Sequence, residues 1–153
     1  MSECLHIALM QPEIGPNAGN IGRLCLGVGA HLHLVHPLGF RTDDKAVRRA
    51  GLDYWKHVTV TEHPSADAFW QWADGRRIHL FSTKADAPYS RIAWKHGDVL
   101  IFGPESKGLS AEVRNQFPAY QIPMTGPIRS LNLANAVAVV TYAALRDINP
   151  EVF

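Results

Sequence analysis

Three short stretches hold the polar residues best suited to chemistry. The first places Asn17, Asn20 and Arg23 in PEIGPNAGNIGRLC. The second is FGPESKGL, residues 102–109, with Glu105, Ser106 and Lys107 between glycines. The third is IPMTGPIRSLNLANAVAVV, residues 122–140, with Arg129, Ser130 and Asn132 in four positions. An arginine brings a fixed positive charge and directional donors, a carboxylate only acceptors, and an asparagine amide both. In the third stretch these groups stand where a loop enters an alanine- and valine-rich helix. Unpaired N–H groups there can hold an anion or a polar ligand. Ser130 or Asn132 could equally cap that helix, and Asn17 could cap the segment that follows it.

Several chemistries are excluded by what the sequence lacks. The glycines near Arg23 are not followed by the Gly-Lys-Ser/Thr of a phosphate-binding loop. Gly27-Val28-Gly29 lacks the third glycine of a dinucleotide fingerprint, and no Gly-x-Ser-x-Gly elbow occurs. No HExxH and no local Cys/His spacing marks a zinc site, so no metal is expected. The eight histidines are scattered, and His6, His33 and His79 fall within strand patterns, where packing is the expected role. Cys4 and Cys25 lie in apolar patterns and read as buried thiols.

The elements that must position the three stretches alternate. Strand patterns run over 5–10, 32–35, 57–61, 78–83, 98–102 and 120–122. Helix patterns run over 17–28, 43–50, 65–73, 110–117 and 132–146, with Ser65 and Ser110 as N-caps. Such alternation predicts an α/β fold with a mainly parallel six-stranded sheet flanked by helices. Asn17, Thr83, Gly103 and Ser130 all follow strand ends, so they should converge on the carboxyl edge, where such sheets bind ligands. With 153 residues and no break in composition, a single domain over 1–153 is expected. No apolar run approaches the ~20 residues of a membrane span. MSECLHIALM has no basic start, so a cytoplasmic protein is expected. A net charge of +1 argues against coating nucleic acid by charge alone, although basic residues gathered on one side would permit an RNA partner.

NAGNIGRLC, FGPESKGL and IPMTGPIRSLNLANAVAVV resemble, in order and separation, the three signature motifs of the SpoU branch of the SPOUT methyltransferases. QPEIGPNAGNIGR, HPLGF and DDKAVRRAGLDYW extend the likeness over nearly the whole chain, toward that branch's tRNA (cytidine/uridine-34)-2′-O-methyltransferases. Ala18 stands where the family pattern has threonine, and Ala134 where it has serine. The resemblance implies a C-terminal trefoil knot, a homodimer with the site near the subunit interface, and S-adenosyl-L-methionine as methyl donor, leaving S-adenosyl-L-homocysteine. It implies cofactor contacts at Phe81, Thr83, Gly103, Ile122, Ser130 and Leu131, with glycine at 103 letting adenine approach the backbone.

The implied substrate is a tRNA ribose 2′-hydroxyl, and position 34 follows from the resemblance alone. Asn17, Arg23, Glu105, Ser130 and Asn132 are the implied catalytic set. Arg23 stays protonated and would bind phosphate or stabilise a developing alkoxide. Glu105 would hold its loop, pair with an arginine or accept a proton. Arg41, Lys45, Arg48 and Arg49 form the candidate RNA patch, or else an ordinary solvated face. Tyr54 and Trp55 could stack on bases, with packing as the plainer role. Another tRNA position, ribosomal RNA, or an RNA-binding module without catalysis are the alternative readings.

Overall fold

The computed structural model describes residues 4–50 and 52–153. The strands are β1 (His6–Met10), β2 (His31–Val35), β3 (Val60–His63), β4 (Ile78–Phe81), β5 (Ala87–Pro88), β6 (Val99–Phe102) and β7 (Ala119–Gln121). The helices are α1 (Gly15–Val28), α2 (Asp44–Arg49), α3 (Ala66–Ala73), α4 (Ala111–Arg114) and α5 (Leu133–Ile148). The strands build one sheet in the order β3-β2-β1-β6-β4-β7-β5. Every pairing among them is parallel. The chain first winds outward from β1 to β3, then crosses to the other side, so the winding direction reverses between β1 and β6. Loops leaving two such neighbours diverge and open a crevice at their carboxyl ends.

β1, β4 and β6 are buried along their whole length because both faces of the sheet centre are covered. Ile7, Leu9, Leu32, Leu34, Leu100 and Phe102 pack with Ile21 and Cys25 of α1 and Val137, Val140 and Ala144 of α5. Ala8, Met10, Val35, Leu80 and Ile101 face the other way, against Phe69 and Ala73 of α3. Val113 of α4 joins this second layer. The two sets alternate along each strand, as the pleat requires.

The structure corrects several sequence expectations. The sheet has seven strands rather than six. The extra one, β5, is two residues long and contains Pro88, too short for any periodicity to show. The third strand begins at Val60 because Trp55–His57 form a 3-10 turn. Helix α4 stops at Arg114, short of Phe117. Helix α1 begins at Gly15 with Pro16 in its first turn, so Asn17 lies inside the helix and Ile14 takes the cap position. Ser65, Ser110 and Asn132 cap α3, α4 and α5 as expected. A side chain at Gly22 would meet Trp55 at 2.4 Å, so the glycine lets that indole lie against α1. Tyr54 Oη donates to the Gly19 carbonyl (3.0 Å), so both aromatics serve packing.

Histidines far apart in sequence are brought together on the α3 face. His6 is the register partner of His31. His6 Nδ1 lies 3.0 Å from His33 Nε2, and His33 Nδ1 lies 2.9 Å from His63 Nε2. Trp72 of α3 covers them, 4.1 Å from the His33 ring. Burial, then the neighbouring histidines and Arg76, pull the His33 pKa down to about 2, and burial also lowers that of His63. His33 is neutral in the fold and His63 holds its proton less readily than a free histidine, whereas the unfolded chain takes up both protons near pH 6.5. Their contribution to stability is therefore complete above pH 6.5 and is lost as pH falls below it. Unfolding free energy measured with urea should drop by roughly 1–3 kcal/mol between pH 7.5 and 5.5, before carboxylates titrate. A value unchanged over that interval would contradict neutral, buried histidines.

Candidate active site

The carboxyl ends of β1 and β6 are joined by two glutamates that exchange partners. Glu105, in the loop after β6, accepts hydrogen bonds from the backbone N–H groups of Glu13 (2.7 Å) and Ile14 (2.8 Å), after β1. Glu13 in turn accepts from the Ser106 N–H (2.8 Å) and its hydroxyl (2.7 Å). The Ser106 amide first, then its hydroxyl, hold the Glu13 carboxyl below the ordinary glutamate value. The two N–H groups that Glu105 receives precede α1, where Ile14 offers no side-chain cap. The carboxylate thus meets the positive end of that helix.

A second branch leads to the far end of the chain. Asn17 Nδ2 donates to Glu105 (3.2 Å), and Asn17 Oδ1 accepts from Asn132 Nδ2 (3.1 Å). Asn132 Oδ1 accepts from the backbone N–H groups of Ala134 (2.9 Å) and Asn135 (3.4 Å). One carboxamide therefore caps α5 and fastens it to the other two loops. Asn17, Glu105 and Asn132 are brought together, one from each of the three stretches.

The third stretch also lines a cavity of about 340 Å³, through Ile122, Met124 and the loop 126–129, together with Thr83 and Gln121. Its volume suits a nucleoside-sized ligand. Its walls combine apolar groups (Ile122, Met124, Ile128), the Thr83 hydroxyl, the Gln121 amide and the Arg129 guanidinium.

Comparison with known proteins decides what these loops belong to. The sequence profile of the SpoU rRNA Methylase family matches residues 4–142. The chain belongs to this family. It is 46% identical over 147 residues to the tRNA (cytidine(34)-2′-O)-methyltransferase of Escherichia coli K12, covering 94% of each chain. A solved structure concerned with 2-OH methylation of C/U34 on tRNA superposes with a TM-score of 0.88. The two share 48% identity over 94% of this chain and 95% of that one. The SpoU methyltransferase AviRb of Streptomyces viridochromogenes, in complex with AdoMet, gives a TM-score of 0.79 at 25% identity. That alignment covers 95% of this chain and 58% of AviRb.

Among the residues expected to touch cofactor in this SpoU chain, Thr83 and Ile122 line the cavity. Ser130 is exposed on the same loop and Leu131 is half-buried. Phe81 is buried, stacked on Phe102 at 4.9 Å, and forms the floor of the sheet behind the loops. A Cβ at Gly103 would lie 2.3 Å from the Leu109 amide nitrogen, so glycine there lets the backbone of residues 108–109 pass close. Gln121, Met124 and Arg129 line the cavity without having been singled out as cofactor contacts. Their signal was the third stretch, to which all of them belong or adjoin. Arg23 stands apart from the network, exposed on α1 with its guanidinium 5.7 Å from the Tyr54 ring centre.

The candidate RNA side chains follow α2. Asp43 caps that helix, and Arg41 is paired with Asp43 at 2.8 Å. Ala46, Val47 and Ala50 turn toward α1 across a groove of about 450 Å³, also lined by Asn20, Phe40, Arg41 and Trp55. Lys45, Arg48 and Arg49 are exposed.

Replacing Glu105 by glutamine turns one acceptor into a donor aimed at N–H groups. Glu105→Gln should cost about 1–3 kcal/mol in thermal or urea unfolding. It should also speed hydrogen exchange at the Glu13 and Ile14 amides. Unchanged stability together with unchanged exchange would show that this carboxylate does not tie the loops.

Proposed function

We propose that this chain methylates the ribose 2′-hydroxyl of nucleotide 34, cytidine or a modified uridine, in a tRNA anticodon loop. The observation that carries the reading is the Glu105–Asn17–Asn132 network. It joins all three motif loops, the last of which lines a nucleoside-sized cavity, in a chain 46% identical to a tRNA (cytidine(34)-2′-O)-methyltransferase. S-Adenosyl-L-methionine supplies an electrophilic sulfonium methyl, so the protein's task is alignment, exclusion of water and help with the departing hydroxyl proton. Thr83, Ile122, Ser130, Leu131 and Arg129 would hold that cofactor, together with Phe81 and Gly103. When bound, the cofactor would supply its methyl group to the ribose oxygen and leave as S-adenosyl-L-homocysteine, the hydroxyl proton passing to solvent or a nearby acceptor.

Arg23 binds a substrate phosphate or steadies charge on the ribose oxygen. Its exposure on α1 leaves it accessible to RNA or to a second subunit. Asn17 and Asn132 fix the loops that receive the ribose, and Glu105 holds them rather than acting as base, since its carboxylate already accepts three hydrogen bonds. The reading includes the C-terminal trefoil knot, a cytoplasmic location and a homodimer. Exposed Leu26 of α1 and Val139 and Tyr142 of α5 give the dimer an apolar face. Among the described residues no helix is long and apolar enough to cross a membrane.

The test incubates the protein with labelled S-adenosyl-L-methionine and total tRNA from a strain lacking the activity, then maps the modified nucleosides. Label at the 2′-oxygen of nucleotide 34 is expected. Label only at another tRNA position or on ribosomal RNA would overturn the assigned substrate. In the same assay Arg23→Ala should lower turnover by about a hundredfold or more while cofactor affinity holds. Near-normal turnover in that variant would remove Arg23 from the chemistry.

Lys45, Arg48 and Arg49 meet the RNA backbone. Replacing all three with alanine should weaken tRNA binding. The slope of log affinity against log salt should become shallower by about 0.7–0.9 for each phosphate left without its cation. The same salt slope in variant and parent would place the RNA surface elsewhere.

A further inference from the structure

On the sheet edge opposite the site, β1 and β2 begin side by side. His31 and His33 are two apart on β2, so both side chains leave the same face. The parallel register sets His6 directly beside His31. Each of the three offers a ring nitrogen, and these nitrogens lie within 4.8 Å of one another. The His31 and His33 rings are stacked at 4.2 Å, and the His6 ring is 5.2 Å from His33. We propose that His6, His31 and His33 form a three-imidazole site for a borderline transition-metal ion of the zinc, nickel and copper class.

Ligand chemistry supports this. Two nitrogens each about 2.0–2.1 Å from one ion stand roughly 2.8–3.4 Å apart at square to tetrahedral angles. The His6 Nδ1 to His33 Nε2 distance, 3.0 Å, is within that span. A ring nitrogen of His31, half-buried at the start of β2, lies within 4.8 Å of those of the other two and would close the third position. A metal takes the neutral imidazole through a ring nitrogen that carries no proton. The outer nitrogens are already oriented. His33 Nδ1 meets His63 Nε2 at 2.9 Å, and His31 Nε2 meets Thr61 Oγ1 at 2.8 Å. Partners of this kind fix the tautomer and ring angle of metal-bound histidines. Among the described residues the set is three imidazole nitrogens, a donor type that disfavours magnesium and calcium and favours zinc, nickel and copper.

One alternative uses the same atoms. Arg76 Nη1, which can only donate, lies 3.5 Å from His6 Nε2. His6 could then donate to His33, and His33 to His63, as a chain of shared protons without an ion. Arg76 is exposed and stacked on Trp72 at 4.0 Å, so it can withdraw when a cation enters.

The experiment uses the untagged full chain, stripped with a chelator, at pH 7.5. Zinc and nickel are titrated by calorimetry, and cobalt by its visible absorption. One ion per chain at micromolar affinity or tighter is expected, with a rise in thermal midpoint that follows metal concentration. His31→Ala should weaken binding tenfold or more, and His57→Ala, an exposed residue outside the cluster, should not. His33 is wholly buried, so the half-buried His31 carries the decision. Absence of saturable binding overturns the proposal in favour of the proton chain. Binding unchanged in His31→Ala overturns it in favour of surface histidines. The readout does not involve methyl transfer, so it stands or falls apart from the function proposed above.

Discussion

A single carboxylate, Glu105, holds the functional edge of this protein together. Two strands that are neighbours in the sheet send their chains to opposite faces, and nothing in strand pairing fixes the loops between them. Glu105 does so by collecting the amides of Glu13 and Ile14 and the side chain of Asn17. Each donor lies at or before the start of α1, so the helix dipole favours the same charge. Glu13 answers in the reverse direction through Ser106. Hydrogen bonds to an ionised acceptor are roughly twice as strong as neutral ones, and two reciprocal sets resist the shear a lone bond would allow.

The rest of the site inherits this constraint. Asn17 is presented to Asn132 because Glu105 fixes its amide nitrogen, leaving the oxygen to accept. Asn132 then has one oxygen for the first N–H groups of α5 and one nitrogen for Asn17. An aspartate there would cap the helix as well but could not donate to Asn17. A serine is too short to serve both partners. The residue types follow from the geometry of donors and acceptors as much as from any contact with substrate.

Much of the fold could be read from residue order. Alternating apolar strands and amphipathic helices gave the parallel sheet, and strand-end residues gave the functional edge, because both depend on local periodicity. β5 escaped because two residues have no period. The start of α1 was displaced because Pro16 favours a first helical turn more than Asn17 favours a cap. In the site, the three polar clusters were legible from their setting among glycines and prolines. The role of Glu105 was only partly so, because its partners are backbone amides that no side-chain pattern reveals. Gly103 was recognised as a close approach, but its neighbour is Gly108–Leu109 of the same loop. The histidine cluster was invisible for a related reason. Register between strands, which the sequence order does not state, makes His6 and His31 neighbours.

Asn17 and Asn132 are 115 residues apart along the chain and touch through one hydrogen bond. During synthesis the amino-terminal half of the edge, with α1 and the first strands, can form long before residue 132 leaves the ribosome. The second loop can dock when Glu105 emerges. The last piece arrives only with α5, whose first turn is completed by the same asparagine that closes the site. A chain in which α5 has not yet formed therefore presents its basic α2 while the three loops are still not joined.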